Sequence, residues 1–286
     1  MHVAEWKDYE ILDAGDGEKL ERWGNILLAR PDPQAIWPKK EVSLWSEAHA
    51  HYHRSESGGG EWEYKHKIPE SWSISYGKLK FRVKPTGFKH TGLFPEQASN
   101  WDMMRGILNG SGGKPRVLNL FAYTGGATVA CAAAGAEVVH VDAAKSMVTW
   151  ARENAALSGL AEAPIRYLVD DVFKFVQREG RRGNRYEGIL MDPPSYGRGP
   201  TGQVWHIEEG LYRLVEECAG LLSDRPLFFL VNSYTTGLAP GVLDTILTMA
   251  VKARRGGEVA SYELGLPIRS MGANLPCGAS GLWRGK

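Results

Sequence analysis

The sequence has few cysteines, almost no net charge and no long apolar run. Its 286 residues include three cysteines, and 34 lysines and arginines nearly balance 33 aspartates and glutamates, so the formal net charge is +1. Three distant cysteines without metal-ligand spacing favour free thiols in a reducing compartment over a disulfide framework. The balanced charge excludes a global basic field, so nucleic-acid binding would need a local basic patch.

Membrane insertion is also not expected, because the longest apolar runs are only as long as a strand. The first twenty residues lack the apolar segment of a signal peptide. We therefore expect a cytoplasmic protein that does not enter a membrane. With 43% hydrophobic and 23% charged residues, the chain has the composition of a globular protein with one large domain or two unequal ones.

The first ninety residues differ in character from the rest, since they hold six of the ten tryptophans among short segments punctuated by turn residues. In WSISYGKLKFRVKP, residues 72–85, a Tyr-Gly-Lys turn separates two alternating runs and predicts a β-hairpin. We predict a β-rich N-terminal extension over residues 1–90, a candidate region for contact with a substrate or RNA. A separate domain would then cover residues 91–286.

From Pro115 onward, apolar strand-length runs alternate with segments of helical periodicity. RVLNLFA, EVVHVDA, IRYLVD, YEGILMD and RPLFFLVNSY read as buried strands, and the intervening segments read as helices. This alternation predicts an α/β fold with a doubly wound, mostly parallel, seven-stranded Rossmann-like sheet. The last two extended pieces, GEVASYELGL and ANLPCGASGLW, lack a helix between them and predict an antiparallel pair that closes one edge.

Ligands bind such sheets beyond the carboxyl ends of the strands, so the residues that follow each strand are candidates for a site. Gly125 and Gly126 follow the first strand and would let the backbone approach a ligand closely. Asp142 follows the second strand and could accept hydrogen bonds from a ribose diol. Asp171 and Val172 follow the third strand and offer an acceptor for an amino group and an apolar wall.

The nicotinamide and flavin fingerprint G-x-G-x-x-G is absent here, and so is the Gly-Lys-Ser/Thr of a P-loop. A ligand with adenosine but without phosphates is therefore favoured, and S-adenosylmethionine is the common one. The fourth strand ends in MDPPSY, where Pro-Pro must stop the sheet. Asp192 and the Pro193 carbonyl could accept hydrogen bonds from a methyl acceptor, and Tyr196 could stack on an extruded base.

These motifs resemble the class I S-adenosylmethionine-dependent methyltransferases, and among them the bacterial methyltransferases of large-subunit (23S) ribosomal RNA. GLFPEQASN, residues 92–100, is similar to that family's G-x-F-x-D-Q-x-x-N segment. Three positions depart from the family pattern: Glu96 replaces Asp, Ala98 replaces Arg, and Ser195 stands where an aromatic residue is common. The resemblance implies that Phe94, Gln97 and Asn100 help to line the cofactor pocket. It also implies that Asn119, Phe121, Gly125 and Gly126 form the loop on the methionine side of the cofactor. With the strand-tip candidates, the predicted cofactor-binding residues are Phe94, Gln97, Asn100, Asn119, Phe121, Tyr123, Gly125, Gly126, Asp142, Asp171, Val172 and Asp192.

The predicted function is methylation of a ribosomal RNA base, with Asp192, Pro193 and Tyr196 as catalytic residues. A methyltransferase for protein or a small molecule, and a catalytically silent RNA-binding module, are the alternatives. An RNA-facing rim is the predicted role of a group of basic residues, although the RRGNR segment also fits a solvated loop. These residues are Lys84, Lys89, Arg105, Arg181, Arg182, Arg185 and Arg198.

Three residues and one histidine-rich segment leave alternatives open. Asp142 could be only a helix N-cap, and Tyr123 could only pack under its loop. Cys277 lies in a glycine-rich turn and could attack cytosine C6 covalently, although packing at a strand end is the favoured interpretation. The histidines of HAHYHR alternate as on a strand, but the sequence shows no third ligand, so we expect no metal site.

Overall fold

The computed structural model describes residues 1–55, 59–198, 204–235 and 237–286. The chain forms two compact units, which we call the sheet–helix unit and the β-rich unit. The sheet–helix unit comprises residues 100–264 and 278–286 together with Met1, and the β-rich unit comprises residues 2–99 and 265–277. The β-rich unit is therefore built from two stretches of chain. Contact of residues 1–90 with a substrate stays a prediction.

The β-rich unit consists mainly of antiparallel strands. The strands are β1 (His2–Val3), β2 (Tyr9–Gly15), β3 (Glu18–Trp23), β4 (Ile26–Pro31), β5 (Ala50–Arg54), β6 (Gly60–Tyr64), β7 (Trp72–Tyr76) and β8 (Leu79–Val83). β2 pairs with β3, β3 with β4 and β5 with β6 in antiparallel fashion, whereas β4 and β5 are parallel. The predicted hairpin is confirmed, because Trp72 pairs with Val83 across β7 and β8. Two 3₁₀ helices span Val42–Glu47 and Pro95–Gln97.

The rest of the chain alternates strands and helices. The helices are α1 (Ala98–Asn109), α2 (Gly126–Ala133), α3 (Lys145–Leu157), α4 (Val172–Arg182), α5 (Ile207–Ala219), α6 (Pro240–Leu247) and α7 (Ala253–Arg255), with a π-helical turn at Thr248–Lys252. The strands are β9 (Arg116–Leu120), β10 (Glu137–Asp142), β11 (Ile165–Val169), β12 (Gly188–Met191), β13 (Tyr196–Arg198), β14 (Val204–His206), β15 (Phe228–Ser233), β16 (Glu258–Ile268) and β17 (Ala273–Arg284).

The sheet of the sheet–helix unit has the strand order β11-β10-β9-β12-β15-β17-β16. The pairs from β11 to β15 are parallel, and β15 and β17 are antiparallel, with Phe228 opposite Arg284. The predicted doubly wound, mostly parallel sheet is confirmed. The chain runs outward from β9 through β10 to β11 and then resumes at β12 on the other side of β9. The topological switch point therefore lies between β9 and β12, where such sheets bind ligands.

The last two strands, β16 and β17, lie side by side as predicted, and β17 is antiparallel to β15. The prediction that they close one edge of the sheet is wrong, because within the β-rich unit Ile268, the last residue of β16, pairs in parallel with Ile11 of β2. Two elements of the structure were not predicted from the sequence, helix α1 and the short hairpin formed by β13 and β14. Hairpin strands of three residues carry too little periodicity to be seen in a sequence.

The central strands are apolar because both faces of the sheet are covered. All four residues of β12 and all six of β15 are buried. Helices α2 and α3 pack against β10, while α4, α5 and α6 pack together. Their buried side chains, such as Phe175 of α4 and Leu214 of α5, join one core with the sheet. Within the described ranges, no helix is long and apolar enough to cross a membrane.

A buried ion pair lies inside the β-rich unit. The Arg30 guanidinium donates from Nε to Glu21 Oε2 at 2.5 Å and from Nη2 to Glu21 Oε1 at 2.7 Å, and Tyr9 donates its hydroxyl to the same carboxylate. Glu21 is fully buried and Arg30 is 6% exposed. Burial alone would raise the pKa of Glu21, but the charges of Arg30 and Lys19 outweigh it and lower this pKa to about 2.

Replacement of Arg30 tests this pair. Arg30→Met leaves a buried carboxylate without its guanidinium partner, so we expect a loss of roughly 3–5 kcal/mol in the free energy of unfolding. Arg269→Met is the matched control, because Arg269 is 52% exposed in its ion pair with Glu10 and should cost at most about 1 kcal/mol. Urea unfolding followed by tryptophan fluorescence measures both. Equal losses of unfolding free energy in the two variants would show that the buried Arg30–Glu21 pair contributes no more to stability than an exposed pair.

Candidate active site

Acidic side chains lie at the carboxyl ends of three of four neighbouring strands of the sheet. The order β11-β10-β9-β12 brings Asp171, Asp142 and Asp192 to the same edge, with the loop after β9 between the last two. Main-chain hydrogen bonds connect these strand ends: Asp170 N donates to Asp142 O at 3.1 Å, and Asp192 N donates to Leu120 O at 3.4 Å. The three carboxylates are partly exposed, so this edge presents a row of acceptors at the switch point.

The loop after β9 has an unusual backbone. Phe121 and Tyr123 adopt left-handed conformations with φ of 53° and 50°, and Gly125 follows with φ of 81°. Asp16 is the other non-glycine residue with positive φ among the residues described. Such conformations cost about 1–3 kcal/mol each and concentrate at ligand-binding sites. The loop is therefore a strained segment at the point where this fold binds ligands.

Asp142 holds this loop in place. Its Oδ2 accepts a hydrogen bond from Tyr123 N at 2.8 Å, and its Oδ1 accepts one from Ala144 N at 2.8 Å. The N-cap interpretation of Asp142 is wrong, because Ala144 is the N-cap of α3. Burial raises the pKa of Asp142, and the two backbone hydrogen bonds oppose that rise. A carboxylate has about four acceptor positions, so each oxygen can still accept one more hydrogen bond.

The third strand tip presents two acids in different roles. Asp171 caps α4, with its Oδ1 accepting a hydrogen bond from Lys174 N at 2.9 Å. Asp170 forms an ion pair with Arg178, as expected of a turn acid rather than a ligand. Val172 is 4% exposed and belongs to the core of the unit. The cap uses one acceptor position of Asp171, which leaves this carboxylate able to accept further hydrogen bonds.

Packing within the protein itself explains why glycine is needed at positions 125 and 126. A Cβ at Gly125 would lie 2.8 Å from Cβ of Ala151, and a Cβ at Gly126 would lie 2.6 Å from the Trp101 ring. Both glycines are therefore required by close packing within the protein itself, of α3 at one position and α1 at the other. Their presence alone does not indicate close approach of the backbone to a ligand.

Two predicted pocket residues lie in buried hydrogen-bond networks. Asn119, on β9, is 4% exposed and donates its amide to Thr128 Oγ1 at 2.9 Å. Thr128 Oγ1 also lies 2.9 Å from Nδ1 of His140. Asn119 thus links β9 to α2 and β10 inside the unit. This structural role was not visible in the sequence, and a cofactor contact of Asn119 stays a prediction.

Asn100 has a similar structural role at the start of α1. It is 1% exposed, and its Nδ2 donates to Asn232 Oδ1 and Ser280 Oγ, both at 3.1 Å. Its Oδ1 accepts the hydroxyl of Tyr262 at 2.7 Å. Phe94 and Gln97 belong to the β-rich unit, where Gln97 is 8% exposed. Contact of these residues with a cofactor stays a prediction.

The segment after β12 leaves the sheet as expected. Pro193 is buried, whereas Ser195 is exposed and its Oγ lies 2.5 Å from Thr235 Oγ1. Tyr196 begins the β13–β14 hairpin and is 49% exposed. Its ring meets the His206 ring edge-on, with a centroid distance of 5.2 Å. An exposed aromatic ring next to the Asp192 segment can offer a stacking surface.

Trp205 of β14 is a site residue that the sequence analysis missed. Its Nε1 donates to Pro194 O at 2.6 Å, and its ring lies 5.0 Å from the Phe173 ring and 6.4 Å from the Phe121 ring. Trp205 therefore connects the segment after β12 to the loop after β9 and to the first turn of α4. A Cβ at Gly210 of α5 would overlap the Trp205 ring. A glycine inside a helical pattern shortly after a tryptophan was the signal available in the sequence.

Several of the predicted rim residues have local partners. Arg105 pairs with Asp102, Arg182 pairs with Glu179, and Arg185 donates to the carbonyl of its chain neighbour. The side chain of Arg198 lies outside the described residues. An RNA-facing role for this set stays a prediction.

Comparison with known proteins places the chain in a family. The family model described as S-adenosylmethionine-dependent methyltransferase matches residues 45–223. A solved S-adenosylmethionine-dependent methyltransferase from Agrobacterium tumefaciens is 35% identical and superposes with a TM-score of 0.94, covering 99% of this chain and 92% of its own. The chain belongs to the family of S-adenosylmethionine-dependent methyltransferases. The cofactor of this family is S-adenosylmethionine.

Curated relatives carry more specific names. Ribosomal RNA large subunit methyltransferase K/L of Shewanella frigidimarina is 30% identical over 71% of this chain and 27% of its own length. Ribosomal RNA large subunit methyltransferase K of Neisseria meningitidis is 26% identical over 82% of this chain and 67% of its own length. The chain thus spans about a quarter of the first relative and about two thirds of the second.

Two glycine substitutions test the packing of Trp205. In Gly210→Ala the new methyl group would displace the Trp205 ring, so we expect a loss of about 1–3 kcal/mol in the free energy of unfolding. Gly106→Ala is the matched control, since Gly106 is exposed in α1 and a Cβ there meets nothing within 4 Å. It should gain roughly 0.5–1 kcal/mol. Urea unfolding measures both, and a gain at Gly210 would contradict the packing described.

Proposed function

We propose that this protein transfers the methyl group of S-adenosylmethionine to a base of large-subunit ribosomal RNA. The observation that carries the proposal is the row of Asp171, Asp142 and Asp192 at the switch point of the sheet. Membership of the methyltransferase family supports the reaction type. The names of the curated relatives support the RNA substrate.

The residues present fit the cofactor. Asp142 would accept hydrogen bonds from the ribose hydroxyls with the acceptor positions left by Tyr123 N and Ala144 N. Asp171 would accept from the adenine amino group, and Val172 would contact the adenine ring. The strained loop from Phe121 to Gly125 would line the methionine side, as the family resemblance implies. When bound, S-adenosylmethionine supplies an activated methyl group on a sulfonium.

The segment after β12 would position the methyl acceptor. Methyl transfer is an in-line displacement, so the protein mainly orients the acceptor and stabilises the charge that develops on it. On an attacking base nitrogen this charge is positive, and the Asp192 carboxylate and the Pro193 carbonyl would stabilise it. One such preorganised interaction contributes about 3 kcal/mol. The exposed Tyr196 ring would stack on the base, which contributes roughly 1–3 kcal/mol.

The alternatives differ in substrate and in catalysis. The net charge of +1 fits a protein or small-molecule substrate as well, but the names of the relatives and the exposed Tyr196 favour a nucleobase. A silent RNA-binding module has no need for carboxylates at three strand tips along one edge of the sheet. A cytoplasmic location follows from a ribosomal RNA substrate and is part of the proposal.

Two aspartate variants separate cofactor binding from catalysis. Asp142→Ala should weaken S-adenosylmethionine binding roughly 10- to 100-fold, since a hydrogen bond to a charged group contributes about 1.5–3 kcal/mol. Asp192→Ala should keep that affinity and lower kcat by about two decades or more. Calorimetric titration and single-turnover methylation measure the two effects. Asp224→Ala is the control, because this carboxylate is exposed and lies away from the strand tips.

Equal affinity in wild type and Asp142→Ala would contradict the cofactor site, and full activity in Asp192→Ala would contradict the catalytic role. The substrate has its own test. Mass mapping of ribosomal RNA from a deletion strain should show one unmethylated base that regains its methyl group when the purified protein is added. Complete methylation in that strain would contradict an RNA substrate while leaving the cofactor site standing.

The structure also bears on Cys277. Its Sγ donates to Leu275 O at 3.3 Å. Although the residue keeps some exposed surface, burial of the thiol and the charge of Glu96 raise its pKa well above the usual value. The thiol is therefore protonated at neutral pH, and only the thiolate is a good nucleophile.

Serine at this position tests covalent catalysis. We expect Cys277→Ser to keep the methylation rate within about twofold of wild type, because no covalent step depends on the thiol. Cys131→Ser provides a matched control, since Cys131 is another buried thiol. Loss of methylation in Cys277→Ser alone, with unchanged S-adenosylmethionine binding, would support the covalent route instead.

A further inference from the structure

The β-rich unit contains a group of histidines and glutamates that plays no part in the proposed methyl transfer. Strand β5 places His51 and His53 on one face, because side chains two residues apart in a strand point the same way. Glu63 of β6 lies directly opposite His51 in the strand register. The ligand atoms of these three residues all lie within 4.8 Å of one another. With Glu18, which contacts His51, they form what we call the His–Glu cluster.

The distances in the cluster suit a metal ion. His53 Nε2 lies 2.8 Å from Glu63 Oε2, and the two imidazole rings are 4.2 Å apart at their centroids. Around a tetrahedral Zn²⁺ with bonds of 2.0–2.2 Å, neighbouring ligand atoms are about 3.3–3.6 Å apart. The separation of the His53 and Glu63 ligand atoms is shorter than that range, and the other pairs of ligand atoms lie within 4.8 Å. Side-chain rotations that move these atoms by about 1 Å would therefore close the site.

Glu18 of β3 fixes the His51 ring from a different strand. Its Oε1 lies 2.5 Å from His51 Nε2, and its Oε2 accepts a hydrogen bond from Lys39 Nζ at 2.6 Å. Lys39 is itself fixed, since its ammonium group lies 3.8 Å from the centroid of the Trp45 ring. A carboxylate that holds the ring of a ligating histidine in this way is typical of metal sites. Two carboxylates and one ammonium leave the cluster with a net negative charge, which favours a cation.

We propose that the His–Glu cluster binds one divalent transition-metal ion such as Zn²⁺. Two imidazoles with a carboxylate favour such an ion over Mg²⁺ or Ca²⁺, which prefer sites made of oxygen alone. His51, His53 and Glu63 supply three ligands and water supplies the fourth, so the ion links β5 to β6. The sequence did not show this site because Glu18 and Glu63 come close to the histidines only through strand pairing.

Titration of the full chain with ZnCl₂ tests the proposal. Tag-free protein treated with chelator should bind one Zn²⁺, and Zn²⁺ should raise its Tm. His53→Gln should weaken this binding by more than the roughly 10- to 100-fold that follows loss of a residue next to a ligand. Glu63→Gln is a second variant, chosen because Glu63 is 55% exposed and its replacement will not perturb folding. His66→Gln is the control, an exposed histidine of the same unit outside the cluster.

Cobalt provides an independent measurement. Co²⁺ in a four-coordinate site of nitrogen and oxygen ligands absorbs visible light much more strongly than hexaaqua Co²⁺, so wild type and His66→Gln should develop this absorption and the cluster variants should not. Circular dichroism verifies that each variant is folded. Failure of folded wild type to bind Zn²⁺ would overturn the proposal and leave two hydrogen-bonded His–Glu pairs. Equal binding by wild type and both cluster variants would overturn it as well.

Discussion

The hydrogen bond from Tyr123 N to Asp142 Oδ2, 2.8 Å long, determines the shape of the candidate active site. It joins the loop after β9 to the end of β10, and it forms only because these parallel strands are neighbours. The left-handed conformation of Tyr123 orients the amide group, and the partly buried carboxylate compensates for the strain with two backbone hydrogen bonds. A ribose would then meet a carboxylate that is already fixed in position, which lowers the entropic cost of binding.

Structural and functional roles are divided among the polar residues of the sheet–helix unit. Asn100 and Asn119 use their amides in buried networks that connect helices to strands. The acids at the strand tips keep part of their surface exposed and retain acceptor positions. Most buried polar groups in proteins are hydrogen-bonded, so residues of the first kind stabilise the unit and residues of the second kind are available to a ligand.

Much of the sheet could be predicted from the sequence, because strands buried on both faces produce continuous apolar runs such as GILM of β12. The position of the site followed from the order of the acids along the chain. The environment of Asn119 and Asn100 could not be predicted, because their partners lie on other elements and come together only in the folded unit. The role of Gly126 was hidden for the same reason, since it packs against Trp101, which only tertiary structure brings close. The pairing of β16 with β2 could not be predicted either, because no local sequence pattern indicates which distant strands pair.

A crystal structure of the protein with S-adenosylhomocysteine bound tests the central claim most directly. This compound has the adenosine and amino-acid parts of the cofactor without the methyl group, so it can occupy the site without reacting. We predict that both ribose hydroxyls lie within hydrogen-bond distance of Asp142, with the adenine ring beside Asp171 and Val172. An adenosine bound elsewhere, or an Asp142 carboxylate turned away from the ribose, would contradict the account.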